Sequence, residues 1–208
     1  MNHLAHALLA GSQPDVVLGS MLGDFVRGPI DPALSPQIRI GLRLHRAIDV
    51  YTDSHPTVAR ARARFTPPFR RYAGIILDVW FDHLLAGEFS HWSHLPLDVF
   101  SDDLVVLLER RSEELPPELN RLTRYLRARN LPLRYRERSV VGEVLSGIGQ
   151  RLKRANPLTQ AFDAIAPIES TLATAFESFF PALVAHSEHT LSALRELEPI
   201  PAPATLSN

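Results

Sequence analysis

The stretch PQIRIGLRLHRAIDVYTDSHP, residues 36–56, decides how this chain is read. Ser35 followed by Pro36 opens a helix: the hydroxyl can accept a free N–H of the first turn, and proline at the first helical position gives up an N–H that had no partner. A step of about 100° per residue then gathers Ile38, Gly41, Leu42, His45, Ile48 and Asp49 into one arc and leaves Arg39, Arg43 and Arg46 outside it. The spacing predicts a helix over 36–52 whose core-facing stripe carries a histidine and an aspartate. A lone histidine on such a stripe is ordinarily a satisfied core residue. Here Asp49 lies one turn on, Asp53 another turn later, and His55 follows at once, so four groups able to bind a metal fall within residues 45–55.

The same i, i+3, i+4 apolar spacing recurs along the chain, while nothing alternates for long with the period of a strand. We expect an all-α fold: a single-domain helical bundle over residues 1–198, with helices near 2–10, 15–27, 36–52, 55–64, 68–88, 97–114, 117–129, 138–154 and 158–196. Proline and glycine mark most of the breaks. The end of the chain, 199–208, reads PIPAPATLSN and is expected to be a flexible tail, since its prolines cannot continue a helix. With 208 residues, 45% of them hydrophobic, one sizeable core accounts for the whole.

Composition narrows the chemistry. There is no cysteine, so any metal is held by His, Asp, Glu or water. A net charge of −1 gives no ground for nucleic-acid or membrane affinity. No apolar run reaches the roughly 18 residues of a membrane span, and the N-terminus lacks the basic segment of a signal peptide. The expectation is a cytoplasmic protein. No Gly-rich phosphate loop, HExxH or GxSxG motif occurs.

Other polar residues also sit in apolar surroundings. RRYAGIILDVWFDHLLAGEF, residues 70–89, is apolar on nearly every side, which marks a helix buried among others. Asp78 and Asp82 lie one turn apart on it and need a cation, a shared proton or arginine partners. His83 points to a different side. His3 and His6 are a turn apart at the start of the chain, and Asp24 stands in MLGDFVRG, as ready to be a cap or salt-bridge partner as a ligand. Acids and imidazoles from four helices are economically explained by a metal site between helices, suited to Mn²⁺ or Mg²⁺ before Zn²⁺, with Fe²⁺ as a further alternative.

Five strings in order, MNHLAH (1–6), GSMLGDFVRG (19–28), GLRLHRAIDVYTDSHP (41–56), RYAGIILDVWFDHLL (71–85) and FESFFPAL (176–183), make the chain resemble the acyl carrier protein phosphodiesterases. These are distant, non-standard members of the HD phosphohydrolase superfamily. The resemblance implies a distorted HD-like bundle and an Mn²⁺-dependent hydrolysis. Holo acyl carrier protein loses its 4′-phosphopantetheine arm, leaving the apo protein. It also implies site roles. Asp24, His45, Asp49, Asp78 and Asp82 are the expected metal ligands or their orienting partners, with Asp24 also catalytic. His6 and His55 are the expected proton shuttles, and Arg46, Asp53 and His83 fall on the substrate side. His3 stands where the family pattern leads us to expect an apolar or aromatic residue, so it is not counted as a ligand. Carrier proteins are small and acidic, so Arg39 and Arg43 are expected to dock the substrate, with Arg60, Arg62 and Arg64, or Arg151, Lys153 and Arg154, as further basic groups. Two other readings share the residues: a hydrolase of a small phosphoester or nucleotide, and a non-catalytic module that binds a carrier protein.

Overall fold

The computed structural model describes residues 2–198, and among them the chain is helical throughout, with no strand. The expected tail at 199–208 lies outside the described residues. In chain order come α1 (His3–Leu9), α2 (Pro14–Leu22), α3 (Pro36–Ser54), α4 (Pro56–Ala63), α5 (Ala73–Gly87), α6 (Leu97–Arg110), α7 (Pro117–Arg129), α8 (Arg138–Arg151), a short α9 (Ala161–Ile165) and the long α10 (Glu169–Leu197), with single 3₁₀ turns between several of them. The fold is the all-α bundle that the periodicity predicts. No helix among the described residues is long and apolar enough to cross a membrane.

α5 lies at the centre, with Ile76, Leu77, Trp80, Phe81 and Leu85 all buried. Phe81 meets Phe176 of α10 edge-on at 5.5 Å between ring centroids, a favoured arrangement for an aromatic pair. α3 begins as read: the Ser35 hydroxyl accepts the Ile38 N–H at 3.3 Å. It lies against α2 at backbone contact, because Gly19 and Gly41 face each other there. A Cβ on Gly19 would come within 2.2 Å of the Ile38 carbonyl oxygen, and one on Gly41 within 2.1 Å of that of Val16.

Several expected boundaries move by a few residues, α5 starting at Ala73, α6 ending at Arg110 and α8 at Arg151, and two further changes are larger or bear on the site. The helix read over 15–27 stops at Leu22, whose carbonyl accepts the N–H groups of both Phe25 and Val26 and folds Gly23–Phe25 into a turn. Asp24 therefore sits on a turn that follows α2 instead of on a helix face. The element read over 158–196 is broken into 3₁₀ turns and α9 before α10 begins. Pro167 lies in the last of those turns, where its missing N–H interrupts the α-helical ladder.

The start of α1 is fixed from a distance. Its N-cap residue Asn2 makes no capping bond and instead donates to the Tyr135 hydroxyl at 2.9 Å. The cap comes from α5: the fully buried Asp82 carboxylate accepts the N–H groups of Leu4 at 2.8 Å and Ala5 at 3.2 Å. Burial pushes the Asp82 carboxyl up to about 7, against the pull of those two N–H groups. Asp82→Ala leaves two buried donors without partners, so we expect a loss of about 2–4 kcal/mol in stability by denaturant melting. A variant as stable as the parent would remove this role.

Candidate metal centre

α1 and α3 bring two histidines face to face. The rings of His6 and His45 stack with centroids 3.9 Å apart, and both side chains are almost wholly buried. Each points its Nε2 at the same carboxylate: His6 reaches Asp49 Oδ1 at 3.2 Å, and His45 reaches Asp49 Oδ2 at 3.2 Å. His45 and Asp49 meet because they are one helical turn apart on α3. His6 is brought to them by α1, which Asp82 caps and which the Ser20 hydroxyl of α2 ties down by donating to the His6 carbonyl at 3.1 Å. Asp24, on the turn after α2, lies 3.6 Å from His45 Nε2. Gly23 is what lets the ring in, since a Cβ there would fall 2.1 Å from His45 Cγ.

The charges in this cluster are strongly coupled. Burial lowers the His6 imidazole to about 4, with the Asp49 hydrogen bond opposing it. For His45 burial also works downward, but hydrogen bonds to Asp24 and Asp49 prevail and raise it to about 9. Burial resists ionisation of Asp24, yet His45 and the other nearby imidazoles hold it at about 2. Asp49 is likewise held well below the usual carboxylate range, against burial, by hydrogen bonds with His45 and His6. Asp24 and Asp49 are thus held as carboxylates beside the two rings, and a metal taken up there would displace the proton that they favour on His45.

The donor set fits a divalent metal. One nitrogen of His6, one of His45 and an oxygen of Asp49 all lie within 4.8 Å of one another. The Nδ1 atoms of both histidines are buried with no hydrogen-bond partner, and a native protein rarely leaves such atoms unexplained. Two imidazole nitrogens and a carboxylate oxygen, with no thiolate, are donors that first-row divalent ions accept. His6, expected as a proton shuttle, stands with His45 and Asp49 in this cluster.

The other expected site residues have the following partners. Asp82 is turned to the start of α1. Asp78, half-buried one turn before it, adds a charge that pushes Asp82 further up. His55 follows His45 by ten residues, about 15 Å along the axis, and caps α4 by accepting the Thr57 N–H on Nδ1 at 3.3 Å. Asp53 forms an exposed ion pair with Arg62. His83 meets the Tyr135 carbonyl through Nδ1 at 2.6 Å. Arg46 donates to the carbonyls of Val26 at 3.1 Å and Gly28 at 2.8 Å, holding the loop that follows Asp24. Arg39 and Arg43 both pair with Glu198, a side chain only 10% exposed at the end of α10, so the outward face of α3 is less available to a docking partner than its periodicity suggests.

The family pattern leaves His3 out of the ligand set, yet it lies within electrostatic reach of Asp24 and His45. Burial lowers its imidazole, opposed chiefly by the charge of Asp24, with His45 and Arg151 also acting on it. The signal that could have found it is its spacing: three residues before His6, on the same face of α1.

Comparison with known proteins agrees with the string resemblance. The profile of the acyl carrier protein phosphodiesterase family matches residues 1–183. A protein from Shigella boydii serotype 4 (strain Sb227) named acyl carrier protein phosphodiesterase is 33% identical over 193 residues, covering 91% of this chain and 98% of its own. A protein of the same name from Escherichia coli O139:H28 (strain E24377A / ETEC) is 34% identical with the same coverage. No solved structure matches the chain at a significant level. With a family profile spanning most of its length and relatives of this identity aligned almost end to end, the chain belongs to the acyl carrier protein phosphodiesterase family.

Proposed function

We propose that this chain is a metal-dependent phosphodiesterase that hydrolyses holo acyl carrier protein to the apo protein and 4′-phosphopantetheine, and that it works in the cytoplasm. The observation that carries the metal part is the His6–His45–Asp49 cluster, in which both Nε2 atoms converge on one carboxylate. The substrate follows from the family to which the chain belongs and from the name its relatives carry.

His6, His45 and Asp49 would hold the cation, with Asp24 at the edge of the cluster. When bound, the cation supplies positive charge to a phosphoryl oxygen and lowers the pKa of water. The side chains do the rest. Asp24 is ionised at any pH above about 2 and 53% exposed, so its free oxygen can accept a hydrogen bond from the attacking water and orient it. His6 and His45 are stacked and almost wholly buried, which keeps both imidazoles fixed and fixes the direction of Asp49. Net hydrolysis joins the water oxygen to phosphorus, breaks the bond from phosphorus to the serine oxygen and returns a proton to that oxygen.

The test is an intact-mass measurement. Holo carrier protein incubated with the enzyme and Mn²⁺ is expected to lose one phosphopantetheinyl group. EDTA should stop the loss, and added Mn²⁺ should restore it. Mn²⁺ at a hundredfold over its Kd should also stabilise the folded protein by about 2.7 kcal/mol. Nucleoside monophosphates assayed alongside should remain uncleaved. Turnover that ignores the chelator removes the metal, and cleavage of nucleotides alone moves the substrate to a small phosphoester.

A further inference from the structure

We propose that the cavity between the start of α1, α7 and α8 receives the pantetheine part of the substrate's arm. This inference rests on the reading above, because it supposes that the phosphodiester lies at the metal cluster. The cavity measures about 340 Å³, within the range of roughly 300–1,000 Å³ typical of small-ligand pockets.

Its position is the first argument. One wall is made by His3, one turn before His6, and by Phe25, the residue after Asp24. The cavity therefore begins where the cluster ends. His3 stands at the junction, in electrostatic reach of Asp24 and His45 on one side and of Arg151 on the other. A phosphorus atom held at the cluster carries two ester chains. One leads to the polypeptide and must stay outside; the other is the arm, and this cavity opens beside it.

Its chemistry is the second argument. Leu122, Leu126 and Val144 are buried in the wall, and Tyr125 and Ile148 are half-buried. Arg121 and Arg151 stand exposed at the rim, with the Arg151 guanidinium 5.8 Å above the Tyr125 ring. Pantetheine matches this division: it has a branched apolar segment, two amides whose carbonyls accept hydrogen bonds, and no charge. A larger groove of about 530 Å³ between α4 and α10 carries Arg60 and Arg64, but no residue of α1 or of the turn that carries Asp24 lines it, whereas His3 and Phe25 line the smaller cavity.

The experiment uses pantetheine itself with the metal-free wild type and with Ile148→Trp, a filling substitution at a half-buried position. Saturation-transfer NMR should show pantetheine bound to the wild type and not to the variant. The variant's KM for holo carrier protein should rise at least tenfold with kcat within a few-fold. Absence of pantetheine binding to the wild type overturns the proposal without reference to any variant. An unchanged KM in a folded Ile148→Trp also overturns it. A raised KM without pantetheine binding would give the cavity to the polypeptide and overturn it as well. If the wild type binds pantetheine but leaves holo carrier protein intact, the cavity assignment stands and the proposed reaction fails.

Discussion

Asp49→Asn is expected to lower kcat/KM for holo carrier protein by about a thousandfold or more, near 4 kcal/mol of lost transition-state stabilisation, in a protein that still folds. The fold should survive because the Asp49 side chain is 45% exposed and packs no core. Its contacts are with His6 and His45 alone among the ion pairs of the cluster. An amide of the same shape keeps one acceptor oxygen but presents an N–H₂ donor to the other imidazole and removes the negative charge. His45, held near 9 by Asp24 and Asp49 together, should then titrate lower, and a cation should bind far more weakly. Mn²⁺ content after dialysis, melting temperature with and without Mn²⁺, and turnover together give the answer. Asp53→Asn, near the end of α3 and paired with Arg62 at the surface, is the internal control and should stay within twofold, because exposed ion pairs contribute at most about 1 kcal/mol. Retained turnover and retained metal in Asp49→Asn would displace the centre from this cluster.

The contrast between those two aspartates shows what the sequence could reveal. Both lie on α3 in phase with His45, and both were potential ligands by spacing. Periodicity places a residue on a face and at a height, and this suffices for His45 and Asp49, which meet within one helix. It also suffices for the all-α fold, for the Ser35 cap and for the burial of α5. It does not say what arrives from elsewhere in the chain. Asp82 on an apolar helix reads the same whether it meets a cation or the N–H groups of Leu4 and Ala5, which are more than seventy residues away. Arg39 and Arg43 point outward as predicted, but Glu198 from the far end of α10 comes to them. His55 shares a motif with the centre and still stands about 15 Å along the axis, so adjacency in sequence overstated adjacency in space. His3 shows the reverse case, where a family pattern excluded a residue that the turn of α1 sets beside Asp24.

Gly23→Ala is expected to lower kcat/KM at least a hundredfold, near 2.7 kcal/mol, although the substitution should suit the local backbone. Gly23 caps α2 at φ −54°, ψ −39°, ordinary right-handed helical values, where alanine is favoured over glycine by up to about 1 kcal/mol. Judged on conformation alone, the change is harmless or stabilising. The opposing effect is steric: the new Cβ would lie 2.1 Å from His45 Cγ and 2.3 Å from Cδ2, distances at which something must shift. The ring cannot easily yield, since it is stacked on His6 at 3.9 Å and almost wholly buried. Either the imidazole tilts out of line with Asp24 and Asp49 or the turn carrying Asp24 moves away from it, and catalysis suffers in both cases because a misplacement of about 1 Å can cost a hundredfold. Gly87→Ala provides the comparison, with a non-positive φ and nothing within 4 Å of the added carbon; it should leave turnover unchanged. Reduced metal content in Gly23→Ala alongside a near-normal circular dichroism spectrum would locate the damage at His45. Full activity in that variant would mean that the His45 ring has room to move, and that its stacked position is not the one in which the enzyme works.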